Sequence, residues 1–146
     1  PRAGATYQNL GAALWRQGKL SEAIAQWREG VRECPDFVPL LNQIARILAT
    51  TSEASLRDGA EAVRLAERAV QLGGGRDAAI LDTLAAAYAE TGRYPQAVAT
   101  AQRAQAAAAA SGNTPLVEAI RVRALLYKSG SPSRETAPRP KASDAP

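Results

Sequence analysis

The sequence predicts an all-α fold made of repeated pairs of helices. Apolar and small residues recur at the i, i+3, i+4, i+7 spacing of a helix face, first at Tyr7, Leu10, Gly11 and Leu14 and again at Ala23, Ile24, Trp27, Gly30 and Val31. The same arrangement returns twice further along the chain. Aromatic residues make up only 5% of the chain and much of its 46% hydrophobic content is alanine, a composition that suits closely packed helices better than a large sheet.

The predicted segments divide the chain into an array and a tail. Their bounds are 4–37, 38–77 and 78–111 for three helix pairs, 115–128 for a terminal capping helix and 129–146 for the tail. In the first pair we expect helices near 6–17 and 21–33, with Ser21 capping the second. The terminal helix is predicted to cover the last pair, as open arrays require. The tail is rich in Pro and Ser and poor in large apolar side chains, which predicts a flexible segment.

The second pair differs from the others in the connection between its helices. Twelve residues separate Gly11 from Ala23, whereas 17 separate Ala45 from Ala62. The extra residues lie within 50–58, a stretch without sustained periodicity. Insertions of this kind map to loops on one face of a repeat array. The longer loop is either a simple elongation or an added recognition element.

The spacing of the first pair resembles the tetratricopeptide repeat. The residues that carry the resemblance are Tyr7, Leu10, Gly11, Leu14, Ala23, Trp27, Gly30 and Pro35. The resemblance extends over about residues 4–128 and implies a right-handed α-α superhelix of about three TPR helix pairs plus a C-terminal capping helix. In that family the first helix of each pair lines a concave groove that takes a segment of a partner protein. The resemblance therefore implies a non-catalytic scaffold for protein–protein interaction.

The later part of the chain is similar to bacterial repeat arrays that close the C-terminal end of larger proteins. The stretches concerned are 47–50, 57–62 and 81–90. Some of those larger proteins are membrane-bound and glycosyltransferase-like, which implies contacts with upstream domains of a parent protein. An alternative function is therefore structural self-assembly, or an accessory role in a larger enzyme.

Two surfaces are candidates for partner binding. The predicted concave groove comprises Gln8, Trp15, Arg16, Asn42, Arg46, Asp82 and Glu90. We expect a bound segment to place its acidic part near Arg46 and its basic part near Glu90, with Trp15 as apolar anchor. The alternative is a solvated surface on which Arg46 pairs with Asp82. A second candidate is the far side of the terminal helix, where Val122 and Leu125 could meet a second copy or the host protein.

The family also includes members that clamp a terminal carboxylate, and this chain does not match their pattern. The corresponding positions hold Gln8, Ala12, Arg46, Ala79 and Thr83 instead of the required set of lysines, asparagines and arginine. Binding of chaperone tails in that manner is therefore not expected.

Composition predicts neither catalysis nor a cofactor. The chain has no His and one Cys, which excludes His-based acid–base chemistry and zinc sites of the Cys/His type. No paired carboxylates or nucleophile–base set is visible, so we expect no catalytic residue, metal or cofactor. The net charge of +4 is scattered, which argues against nucleic-acid binding, and no apolar run suits membrane insertion. A homo-oligomer is possible, and the compartment stays open between cytoplasm and periplasm.

Overall fold

A computed structural model of the chain describes residues 2–135. Within this range seven α-helices follow one another: α1 Arg2–Arg16, α2 Leu20–Glu33, α3 Val38–Thr50, α4 Gly59–Gln71, α5 Ala78–Glu90, α6 Tyr94–Ala110 and α7 Thr114–Lys128. Two short 3-10 turns, Ala54–Leu56 and Gly74–Arg76, lie in the connections on either side of α4. The described residues form no strand beyond one isolated bridge between Thr51 and Glu135, so the all-α prediction is confirmed.

Neighbouring helices pack pairwise along the chain. The most extensive contacts join α1 to α2, α3 to α4, α5 to α6 and α6 to α7, while α5 also lies against both α3 and α4. The first helices of successive pairs therefore contact each other, α1 with α3 and α3 with α5. This stacking brings residues that are far apart in sequence onto one side of the array.

A glycine allows the first pair to pack closely around a large aromatic side chain. A Cβ atom on Gly11 would lie 2.1 Å from Nε1 of Trp27. The Trp27 side chain is fully buried, and its indole N–H donates to the backbone carbonyl of Gln8 over 3.2 Å. A small residue at this offset is thus required by the geometry of the contact.

Alanines take the place of the large aromatic in the third pair. Ala97, Ala101, Ala104 and Ala108 of α6 are all buried, in one cluster with Leu81 and Ala85 of α5. The same cluster contains Ile120, Ala124 and Tyr127 of α7. The terminal helix consequently shares a core with the third pair.

Side chains cap three of the helices, but not the one for which the sequence predicted a cap. Asp58, Asp77 and Asn113 accept hydrogen bonds from backbone N–H groups in the first turns of α4, α5 and α7. The prediction for Ser21 is wrong, because α2 already begins at Leu20. The backbone N–H of Lys19 bonds to the carbonyl of Leu14 over 2.9 Å, which closes the turn one residue earlier than the spacing suggested.

The first residues of the predicted tail fold back onto the array. Gly130 adopts a φ of 75°, a left-handed conformation that suits glycine, and reverses the chain after α7. Ser133 is buried, and the backbone N–H of Glu135 donates to the carbonyl of Thr50 over 2.8 Å. Flexibility was predicted because the Pro- and Ser-rich tail has little apolar surface to bury, and polar contacts of this kind do not enter that argument. Residues 136–146 of the predicted tail lie outside the described residues.

Candidate functional site

A buried carboxylate joins three helices of the array. Asp82 of α5, only 3% exposed, accepts a hydrogen bond from Nη1 of Arg46 on α3 over 2.9 Å. Arg123 of α7 binds the same carboxylate through both oxygens, at 3.0 Å from Nε and 2.6 Å from Nη2. Two guanidinium groups therefore share one carboxylate, which leaves an excess of positive charge to be met by another group.

Glu135 supplies the second carboxylate. Arg46 donates to its Oε1 from Nε over 3.0 Å, and from Nη2 to the same oxygen. Burial acts to lower the pKa of Arg46, but the bonded Glu135 and the nearby Asp82 outweigh it and raise the pKa above its ordinary value. The guanidinium is therefore charged at all ordinary pH values.

Glu90 lies at the end of α5 and binds a cation from each side. Nη1 of Arg134 lies 2.6 Å from its Oε2, and Nε of Arg57 lies 3.3 Å from its Oε1. Arg57 belongs to the long connection between α3 and α4, and it also donates to the carbonyl of Thr51 over 2.9 Å. The extra loop residues noted in the sequence thus contribute directly to this surface.

Trp15 lines a small pocket together with Glu135. Trp15, Leu20, Ile47, Glu135 and residues 50–53 line a cavity of about 60 Å³. The Trp15 ring packs edge-on against Trp27, with ring centroids 6.2 Å apart and an interplanar angle of 76°. The pocket places an apolar surface beside the Glu135 carboxylate. We refer below to Trp15, Thr50, Arg46, Asp82 and Glu90, with Arg57 and Arg123, as the groove site.

The structure brings some of the predicted groove residues together and leaves others apart. Arg46 and Asp82 are bonded to each other, but in a buried position and not on the solvated surface of the alternative interpretation. Glu90 binds Arg134, and Trp15 lines the same pocket as Glu135. Within residues 2–135, no hydrogen bond or ion pair joins the side chains of Gln8, Arg16 and Asn42 to this network. The Oδ1 atom of Asn42 is instead buried without a partner among the described groups.

The two residues predicted on the far side of α7 are exposed. Val122 and Leu125 retain 52% and 53% of their accessible surface. An interface at this surface stays a prediction.

The sequence analysis missed five residues that belong to the groove site or lie beside it: Arg57, Arg123, Tyr127, Arg134 and Glu135. Helical periodicity could have revealed Arg123, because it lies three residues after Ile120 and four before Tyr127, both of which are buried. The contact between Arg46 and Glu135 spans 89 residues, and no local pattern predicts it.

Tyr127 is the most deeply buried polar side chain of α7. It is 1% exposed, and its hydroxyl has no hydrogen-bond partner among the described groups. Burial, with a smaller contribution from the Asp82 carboxylate, raises the pKa of Tyr127 to about 12, while Arg46 and Arg123 act in the opposite direction. The phenol is therefore neutral at ordinary pH and can donate a hydrogen bond.

The fold and the family comparison together define the class of this protein. Stacked helix pairs with a site on their first helices define a helical repeat protein. Residues 4–34 match the family model for the tetratricopeptide repeat, and this match supports a tetratricopeptide repeat protein. No curated protein matches the chain. Proteins of this family are generally non-catalytic and typically take part in protein–protein interactions or act as scaffolds.

Across residues 2–135, no helix combines the length and the apolar character needed to cross a bilayer. In the same part of the chain, no group of three or more His, Cys, Asp or Glu side chains is arranged to hold a metal ion.

Proposed function

We propose that the chain is a non-catalytic interaction scaffold that binds an extended partner segment at the groove site. The observation that carries this proposal is the position of Ser133, Arg134 and Glu135, which lie against the first helices and form one isolated bridge, between Glu135 and Thr51. Main-chain and side-chain groups of the array both contact this segment. A surface that holds one extended segment in this way has the features needed to hold another.

The groove site recognises a basic residue followed by an acidic residue in the bound segment. Side chains of adjacent residues in an extended segment point to opposite sides, so Arg134 can reach Glu90 on α5 while Glu135 reaches Arg46 on α3. This polarity agrees with the orientation expected from sequence, in which an acidic group lies near Arg46 and a basic group near Glu90. Complementary charges of this kind mainly confer specificity and direction.

The counterions left at the two ends of the site are unequal. The two ion pairs are about equally exposed, with Arg46 and Glu135 at 18% and 35% and Glu90 and Arg134 at 15% and 34%. Without the acidic residue, Arg46 and Arg123 share only Asp82, whereas Glu90 keeps Arg57 when the basic residue leaves. The acidic residue of a partner segment is therefore the stronger determinant of affinity.

A set of permuted peptides tests the proposal. Ten-residue peptides that differ only at two central positions, Arg-Glu, Glu-Arg or Gln-Gln, are titrated against the full chain and followed by fluorescence anisotropy. We expect the Arg-Glu peptide to bind at least tenfold more tightly than the Glu-Arg peptide. Arg46→Gln should abolish this preference.

Arg64→Gln is the matched control, because Arg64 is exposed and lies on α4, a second helix of its pair. This variant should retain the preference of the parent chain. Equal affinity for all three peptides would overturn the proposal and favour the structural alternatives, self-assembly or an accessory role in a larger protein.

A further inference from the structure

The charges around Asp82 balance only when a second carboxylate is present. Arg46 and Arg123 are 18% and 19% exposed, and Asp82 supplies one negative charge for both. Without Glu135 the cluster would contain one uncompensated cation in a largely desolvated position. An unpaired charge of this kind is costly, so the site requires an anionic group.

We infer, on the basis of the function proposed above, that Glu135 is the resident ligand of a carboxylate site at Arg46, beside the Asp82–Arg123 pair. A partner segment binds by replacing Glu135 with its own Glu or Asp side chain. The folded-back segment 131–135 therefore gates the groove site.

Glu135 does not satisfy the site completely. Its Oε1 accepts both hydrogen bonds from Arg46, and no described group bonds to its Oε2. The Tyr127 hydroxyl, four residues after Arg123 on α7, is buried and has no partner among the described groups either. A carboxylate that uses both of its oxygens on donors of this cluster would make a bond that Glu135 lacks. Replacement of the resident side chain can thus be favourable.

The ligand is an internal acidic residue and not a chain end. The backbone N–H of Glu135 pairs with the Thr50 carbonyl, Glu135 itself lines the Trp15 pocket, and further residues follow it in the sequence. The basic partner is less important than the acidic one, because Glu90 keeps Arg57 as a counterion when Arg134 leaves. An acidic side chain in an extended segment is the required chemistry.

Attachment to α7 gives the resident ligand an advantage. Only the residues from Ser129 onward connect α7, which ends at Lys128, to Glu135. A short flexible tether of this kind corresponds to an effective concentration on the order of millimolar. A partner segment must bind tightly enough to displace Glu135 at this effective concentration, so the folded-back segment sets a minimum affinity for binding.

The test uses the full chain and a fluorescein-labelled peptide with the sequence of residues 129–138 as the probe. Glu135→Gln removes the resident carboxylate, and we expect it to bind the probe at least tenfold more tightly than the parent chain does. A probe in which Gln replaces its own Glu should show no such gain. The control is Glu33→Gln, a substitution of an exposed residue on α2, which should behave as the parent.

Backbone amide exchange provides a second measurement on the same proteins. In the parent chain the amide of Glu135 should exchange slowly because it is bonded to Thr50, and added probe should accelerate its exchange. Equal probe affinity for the parent and Glu135→Gln, or an unprotected Glu135 amide, would overturn the gating inference. If the Arg-Glu preference of the permuted peptides persisted in that case, the proposed function would stand. Absence of binding to every variant would overturn both.

Discussion

At the scale of single residues, the contact between Gly11 and Trp27 shows how one missing Cβ atom determines a helix–helix distance. We predict that Gly11→Ala lowers the free energy of unfolding by about 1–3 kcal/mol, because the new Cβ must displace the buried indole and its bond to Gln8. Better helix propensity offsets only about 1 kcal/mol. Chemical denaturation followed by circular dichroism measures the change.

Gly75→Ala is a suitable comparison for this substitution. A Cβ at Gly75 would have Val70 as its nearest neighbour at 4.0 Å, an ordinary contact. The unfolding free energy of this variant should stay within about 0.5 kcal/mol of the parent. Similar stabilities for both variants would mean that the close approach at Gly11 is not maintained in solution.

The buried phenol of Tyr127 predicts a loss of stability in alkali. The unfolded chain loses this proton near pH 10, whereas the folded chain keeps it up to a pKa of about 12. The stability that depends on the neutral phenol is therefore complete below pH 10 and declines as the pH rises through 12. Between pH 8 and pH 11 the parent should lose on the order of 1 kcal/mol more than Tyr127→Phe. Urea denaturation of both proteins at the two pH values checks this, and parallel losses would contradict it.

At the scale of secondary structure, the two faces of α7 should respond differently to truncation. Ile120 is fully buried in the cluster shared with α5 and α6, whereas Val122 is about half exposed. Ile120→Ala should therefore cost about 2–5 kcal/mol of unfolding free energy, and Val122→Ala no more than about 0.5 kcal/mol. Thermal denaturation of the two variants distinguishes them. Comparable losses would show that α7 is rotated relative to the array.

Helical periodicity predicted most of the elements because apolar faces must be buried wherever helices pack. The turns at Gly18 and Gly92 could also be predicted from the sequence, since glycine favours the left-handed conformation that both residues adopt, with φ of 80° and 78°. The start of α2 at Leu20 could not be predicted from the sequence, because it depends on the backbone hydrogen bond from Lys19 to Leu14. Cap positions of this type are decided by turn geometry more than by residue type.

The groove site could be predicted only in part. Arg46, Asp82 and Glu90 lie on first helices, and their positions along a helical face were sufficient to name them. Arg134 and Glu135 could not be assigned in this way, because a contact between residues that follow α7 and α3 or α5 depends on how the array stacks. Charged residues in a polar segment carry no periodicity that would indicate their partners.

At the scale of the whole molecule, Asp82 connects α3, α5 and α7 through two arginines. We predict that Asp82→Asn lowers the free energy of unfolding by about 3–5 kcal/mol, because Arg46 and Arg123 then lose their shared counterion in a largely buried position. Amide exchange should accelerate in both α3 and α7. Denaturation and hydrogen exchange measure the two effects.

Asp36→Asn provides the comparison with a surface ion pair. Asp36 pairs with Arg68, and the side chains are 65% and 46% exposed. This substitution should change the unfolding free energy by no more than about 1 kcal/mol. A loss confined to α5 in Asp82→Asn would contradict the connecting role of the carboxylate.

Because of the longer connection between α3 and α4, neither neighbouring helix pair could replace the middle pair in the array. A copy of the first or third pair in its place would retain the apolar contacts, but it would lack Arg57, which binds both Glu90 and the Thr51 carbonyl. A further helix pair inserted between α4 and α5 would likewise separate Arg46 on α3 from Asp82 on α5 and Arg123 on α7. The order of the units is therefore part of the site, whereas a pair added before α1 leaves these contacts in place.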